Sequence, residues 1–340
     1  MFVLSIAAGI GLLSFLSNEI KKPMLVQAES VSYVVKKGSS LKRVLNDFAA
    51  MGWVKYPRIH EMWFRYQDLT NVQHGEYVFT RGMTSADAVA NMVLGKKILR
   101  SVQFIEGKTF KDNLAVLAGN NFIEHTIAGL SDKEILSKIS SDLKHPEGWF
   151  FPDTYLFESG TTDLEILKIA YQRTKKVLDE EWANKSEDSK VNSPYEVLIL
   201  ASIIEKETGA AFERTMISGV FSRRLSLGMR LQTDPTVIYG LGDNYNGNIT
   251  RKDLRTDTPY NTYTRAGLPP TPIASPGREA IYAALHPEPG TSLFFVAKGD
   301  GTHHFSTTLK EHNAAVIKYQ RFGRRSDYQS APSVSEGESK

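Results

Sequence analysis

The run Tyr195 to Thr208, YEVLILASIIEKET, is apolar on nearly every face until Ile204. A helix with that pattern has no polar side to offer water, so it belongs at the centre of a domain with other elements packed around it. Ser193 and Pro194 stand just ahead, a capping residue and a residue tolerated in a first helical turn. Glu205 ends the apolar run. Its nearest neighbours on a helix surface are Leu198, Ala201, Ser202, Thr208 and Gly209. An apolar flank disfavours ionisation of a carboxyl, as a general acid needs. The small neighbours leave room beside it for a ligand. Glu207, two residues on, faces elsewhere. The competing account is that Glu205 starts the solvated end of the helix and pairs with a basic side chain.

A chain of 340 residues, 41% hydrophobic and 23% charged, is globular in composition and long enough for a targeting element plus about two domains. Its formal charge of +3 is spread thinly, unlike the basic stripe of a nucleic-acid binder, so no nucleic-acid partner is expected. The absence of cysteine excludes disulfides, thiolate zinc sites and cysteine nucleophiles. His303, His304 and His312, with Glu311, have a spacing that matches no established zinc pattern, so no metal is expected. No glycine-rich nucleotide loop occurs, and Ser275 lacks the flanking glycines of a nucleophile elbow. No cofactor is expected.

Phe2 to Leu16 is apolar but shorter than the roughly 20 residues that span a bilayer as a helix. Lys21 and Lys22 follow it, and nothing basic precedes it. A truncated signal anchor, a cleaved signal peptide and a buried core segment all fit. From Val31 the chain alternates short strands and helices. VSYVV reads as a strand, KKGSS as a turn, and LKRVLNDFAAMG as a helix ended by Gly52. EYVFT then reads as a strand and RGMTSADAVANMVLG as turn and helix, with Thr84 as cap and Gly95 as stop. This pair of β-turn-α units predicts an α+β module over residues 31–98. Its V-K-K-G-S-S-L-x-x-V opening resembles the LysM-type carbohydrate-binding fold, although a generic spacer fits as well.

A strand over Ser101 to Gly107 leads into a second domain, residues 99–322. An aromatic-rich irregular stretch there, with Pro146, Gly148, Pro152 and Gly160, is of the kind that packs over a core or binds a flat ligand such as a sugar. A long helix covers Asp163 to Trp182, and residues 324–340 form a polar tail that reads as disordered. The fold class is α+β, with a mixed α/β domain built around the buried helix.

Four segments occur in order: LASIIEKETG, ERTMISGVFSRRLSLGMRLQTDPTVIYGLG, DTPYNTYTRAGLPPTPIASPG and HHFSTTLKEHN. Together they resemble the YceG-like (MltG) family of endolytic murein transglycosylases, from about Val31 to Tyr319. The resemblance implies that Glu205, the first Glu of E-K-E-T, is the catalytic residue. It further implies an N-terminal membrane anchor within residues 1–22, a LysM-like subdomain, and peptidoglycan glycan strands as substrate. It implies a place on the inner membrane as a single-pass protein with its catalytic domain outside the cytoplasm, and peptidoglycan synthases (penicillin-binding proteins) as partners.

Ordinary glycosidases need two carboxylates. A lytic transglycosylase, as the resemblance implies, uses no water: Glu205 protonates the oxygen between N-acetylmuramic acid and N-acetylglucosamine. It then takes the proton of the sugar's own C6 hydroxyl as a 1,6-anhydro ring closes. No second carboxylate is therefore expected. Gln232, Thr233 and Asp234 offer polar groups for sugar hydroxyls or acetamides, although Asp before Pro is also ordinary turn chemistry. Tyr260, Asn261 and Tyr263 offer stacking faces and an amide in a Pro-rich loop, suited to a sugar groove or to loop packing. A hydrolytic muramidase at the same Glu and a non-catalytic wall-binding protein are the alternatives.

Overall fold

The computed structural model describes residues 15, 17–323, 327, 329 and 332. Most of the apolar segment Phe2 to Leu16 and most of the tail lie outside the described residues. Among the described residues no helix is long and apolar enough to cross a membrane. The chain forms two compact units. One runs to Ser101 and takes in Leu156–Thr161; the other comprises Val102–Tyr155 and the chain from Thr162 onward. Among the described residues the strands are short and pair two by two into three sheets, so the class is mixed α/β with helices dominant.

The first unit runs β1 (Ser30–Val35), α1 (Leu41–Ala50), α2 (Pro57–Tyr66), β2 (Gly75–Thr80) and α3 (Ser85–Val93). β1 and β2 pair antiparallel, Tyr33 opposite Tyr77. Their alternation sends Tyr33, Val35, Tyr77 and Phe79 inward. Leu41, Val44, Leu45 and Phe48 form the buried stripe of α1 at helical spacing. Phe48 meets the rings of Tyr33, Trp53 and Phe79 at 5.2–5.3 Å, close enough for favourable edge and tilted contacts. Thr84 caps α3 in a reciprocal box with Asp87, as its sequence predicts. The β-turn-α pair expected from sequence lacks α2. That helix buries only His60 and Phe64.

β3 (Arg100–Gln103) and β4 (Thr154–Phe157) each have residues in both units, and the second unit continues through α4 (Phe110–Ala118), α5 (Asp132–Ile139), α6 (Asp163–Trp182) and α7 (Pro194–Glu207). There follow α8 (Arg214–Ser226), α9 (Asp234–Leu241), α10 (Arg251–Arg255), α11 (Arg278–Leu285), β5 (Phe294–Ala297), β6 (His303–Ser306) and α12 (Leu309–Val316). Every residue of α7 from Val197 to Ile204 is buried. Its core partners come from three helices: Val177 and Leu178 of α6, Ile217 and Phe221 of α8, and Ala280, Ile281, Ala283, Ala284 and Leu285 of α11. The small side chains Ala280, Ala283 and Ala284 let α11 lie close. Truncating a residue such as Leu198 here would cost about 2–5 kcal/mol.

Two polar ties bring a distant loop to the end of α7. Ser202 donates to the Ile199 carbonyl (2.8 Å) and accepts from the Ile273 N–H (3.0 Å). Further along, the Ser275 N–H donates to the Lys108 carbonyl (2.8 Å), and the Gly107 N–H donates to the Ser275 carbonyl (2.9 Å). The strand expected over Ser101 to Gly107 stops at Gln103, and Gly107 turns with φ 72°. Gly107 and Gly277 are thereby set beside the last turn of α7.

Candidate active site

The Glu205 side chain is 6% exposed. Arg214 Nη2 donates to its Oε1 at 3.3 Å, and the Gly277 N–H donates to its Oε2 at 2.9 Å. The carboxyl thus meets a cation and a backbone donor in place of the apolar flank expected from sequence. The small neighbours differ too. α7 ends at Glu207, and Thr208 is extended (φ −141°, ψ 136°), so Thr208 and Gly209 do not continue the helix face. Ala201 and Ser202 are wholly buried in the core. Space beside the carboxyl comes instead from Gly107, where an added Cβ would touch Glu205 Cγ at 3.9 Å, and from Gly277.

Gly277 separates two acids. A Cβ built there would collide with the carboxyl of Glu106, while its N–H serves Glu205. Burial raises the Glu106 pKa, and the charge of Glu205 raises it further against the opposing Arg214. Sequence reasoning expected no second carboxyl and missed Glu106; the only local signal was an Glu-Gly pair closing an apolar strand pattern. Arg214 itself also pairs with Glu279, its side chain 11% exposed. Lys206 turns away and donates to the Gly107 carbonyl at 3.2 Å.

These groups open on a cavity of about 610 Å³ lined by Glu106, Glu205, Glu207, Arg214, Thr302 and His303, among others. A second cavity of about 500 Å³ shares Glu207, Ala297 and His303 with it. Glu207 is pushed up to about 7 by burial, against a hydrogen bond from the Thr233 hydroxyl.

The structure brings four of the sequence candidates together here. Gln232, Thr233, Asp234 and Tyr263 all line the second cavity. The Tyr263 hydroxyl donates to Asp234 at 2.5 Å, and the Thr233 N–H donates to Thr262 Oγ1 at 3.1 Å. Gln232 holds φ 50°, a left-handed conformation that costs a residue with a Cβ about 1 kcal/mol or more. Tyr260 and Asn261 line neither cavity. Asn261 is wholly buried, and its Nδ2 donates to the carbonyls of Asp253, Leu254 and Thr256 (3.1, 3.3 and 2.7 Å). Its Oδ1 accepts from the Tyr263 N–H, so Asn261 sets the loop that carries Tyr263. Tyr260 bonds Thr271 through its hydroxyl (2.9 Å) and packs its ring on Tyr239. Among the described residues no group of three or more His, Cys, Asp or Glu could hold a metal ion.

A buried carboxyl at a helix end, held by an arginine and a backbone N–H and opening on a cavity lined by charged and polar side chains, defines a site for acid–base work on a hydroxyl-rich ligand. The chain belongs to the YceG-like family, whose model matches residues 33–318. An endolytic murein transglycosylase of Bacillus subtilis (strain 168) is 32% identical over 308 residues, covering 85% of this chain and 85% of that protein. An endolytic murein transglycosylase of Streptococcus pneumoniae (serotype 2, strain D39) is 26% identical over 331 residues, 86% of this chain and 60% of the relative. The chain thus spans less than two thirds of the pneumococcal protein. The crystal structure of a yceG-like protein from Listeria monocytogenes is similar at a TM-score of 0.53 and 29% identity, covering 84% of this chain and 99% of that one.

Proposed function

We propose that the chain is an endolytic peptidoglycan lytic transglycosylase, a lyase in which Glu205 acts first as acid and then as base. The observation that carries this reading is the Glu205 carboxyl, set in the cavity between Arg214 and the Gly277 N–H, at the first Glu of E-K-E-T in a YceG-like chain. As acid, Glu205 protonates the bridging oxygen between N-acetylmuramic acid and N-acetylglucosamine, and that bond breaks. The N-acetyl group stabilises the positive anomeric carbon. The carboxylate left behind is the form that Arg214 and Gly277 hold, with donors in place before the charge appears. It then accepts the C6 hydroxyl proton as the 1,6-anhydro ring closes. Partial burial and the neighbouring Glu205 charge raise the pKa of Glu106, against the opposing Arg214.

Gln232, Thr233, Asp234 and Tyr263 contact sugars of the same strand in the adjoining cavity, with Tyr260 and Asn261 shaping the loop behind them. The first unit is LysM-like and binds glycan; the order strand, helix, helix, strand supports it. The apolar segment Phe2 to Leu16 anchors the chain in the inner membrane with both units outside the cytoplasm, and peptidoglycan synthases are its partners; family resemblance supports these last points. Digestion of purified peptidoglycan by the full chain tests the activity. Mass spectrometry should find 1,6-anhydromuramyl ends with wild type and none with Glu205→Gln. Ends heavier by one water would make the enzyme a hydrolytic muramidase instead. Identical profiles without anhydro ends would remove Glu205 from catalysis.

A further inference from the structure

Glu213 and Arg214 are neighbours at the start of α8, and they hold two different side chains of the cleft. Arg214 holds Glu205. Glu213 holds His303: its Oε1 accepts from the His303 N–H and its Oε2 meets the ring Nδ1, both at 2.7 Å. The Glu213 side chain is 3% exposed, and the Thr208 hydroxyl donates to it at 3.4 Å. A buried carboxylate can only accept, so the proton between it and the imidazole sits on Nδ1. Nε2 is then the ring atom left for a ligand. The ring stands edge-on to Phe295 at 5.4 Å, which fixes its plane. His303 lines both the Glu205 cavity and the cavity of Gln232 and Tyr263, so it stands where the two join.

Resting on the proposed function, we propose that His303 is a substrate-binding residue whose Nε2 hydrogen-bonds a hydroxyl or acetamido group of the amino sugar lying across that junction. Glu213 is its positioning residue. The pair fixes how far the strand is threaded past Glu205. A carboxylate on one ring nitrogen that orients the other toward a ligand is how a histidine is made directional. It also assigns the first histidine of the HHFS segment a role that needs no metal. His304, its exposed neighbour on β6, has no place in that role.

Binding and turnover are read separately. In the full chain carrying Glu205→Gln, the affinity for an uncleaved tetrasaccharide of alternating N-acetylglucosamine and N-acetylmuramic acid is measured with and without His303→Ala. The expected loss is about ten- to a hundredfold, the size of one strong hydrogen bond. His304→Ala should change nothing. With Glu205 intact, His303→Ala should raise KM by a similar factor and change kcat less. Imidazole ¹⁵N spectra supply a readout that a merely structural histidine would not move. The Nε2 resonance should shift when the tetrasaccharide is added, and Glu213→Gln should turn the single Nδ1–H tautomer into a mixture. An affinity unchanged within twofold by His303→Ala, or an Nε2 resonance indifferent to the sugar, overturns the proposal. Wild type that binds the sugar through His303 but cuts no peptidoglycan overturns the proposed function and leaves this contact standing.

Discussion

Glu205 and Glu207 stand two residues apart on the last turn of one helix, and the protein treats them in opposite ways. Glu205 is given an arginine and a backbone N–H, one for each oxygen. Glu207 is half-buried and accepts from a threonine hydroxyl, and loss of solvent around it pushes its pKa up to about 7. Both border the same cavity. The chemistry of a carboxyl in this cleft is therefore set by what comes to it from elsewhere in the chain, α8 and the loop before α11 in one case and the residues before α9 in the other. Position on the helix decides only which set of visitors it receives.

The largest expected difference is in activity. Glu205→Gln should lower kcat by about 10²–10⁴-fold, the usual contribution of an acid–base group, with the thermal transition little changed. Glu207→Gln should lower it far less. Equal losses in the two variants would dissolve the distinction. Next is Arg214→Ala, which removes the cation from Glu205 and frees Glu279. We expect kcat/KM to fall by about ten- to a hundredfold, with Arg214→Lys intermediate because an ammonium cannot fork between two acids. Full activity in Arg214→Ala would mean that Gly277 alone suffices.

Stability against pH sharpens the contrast from the other side. Folded Glu207 binds its proton more tightly than an unfolded glutamate, so its contribution is complete below about pH 4.5. It is lost as pH rises toward about 7. Glu147, buried and likewise raised to about 7, acts in the same direction. Chemical denaturation should show Glu207→Gln flattening this decline by about 2–3 kcal/mol. A steeper decline in the variant would contradict the burial of Glu207. Smallest is Gln232. Gln232→Gly should leave unfolding free energy within about 1 kcal/mol of wild type, because relief of the left-handed strain offsets the added chain entropy. Gln232→Val should be the less stable of the two, and the reverse order would place the strain elsewhere.

Much of this was legible in the sequence wherever the signal is local. The capped start of α7 at Ser193 and Pro194, the span of α6, and the caps Thr84 and Ser193 follow from residues within a turn of each other. The burial of α7 follows from its composition. Glu205 itself stands out as the end of an apolar run. What surrounds it does not, because Arg214, Gly277 and Glu106 reach it through tertiary contacts that no periodicity encodes. The same limit separates Tyr263 from its neighbours Tyr260 and Asn261. All three look alike in a Pro-rich loop, yet of them Tyr263 alone lines either of the two cavities described, while the Asn261 amide is spent on three backbone carbonyls and the Tyr260 hydroxyl on Thr271.

Gly277 holds φ −76° and ψ 170°, angles open to any residue, so its backbone makes no demand for glycine. The demand comes from the Glu106 carboxyl occupying the place of a side chain. A side chain at position 277 would require the Glu106 carboxyl to swing aside, away from its place beside the Gly277 N–H that serves Glu205. A glycine that looks like loop grammar is in this case a record of a carboxyl encoded far upstream.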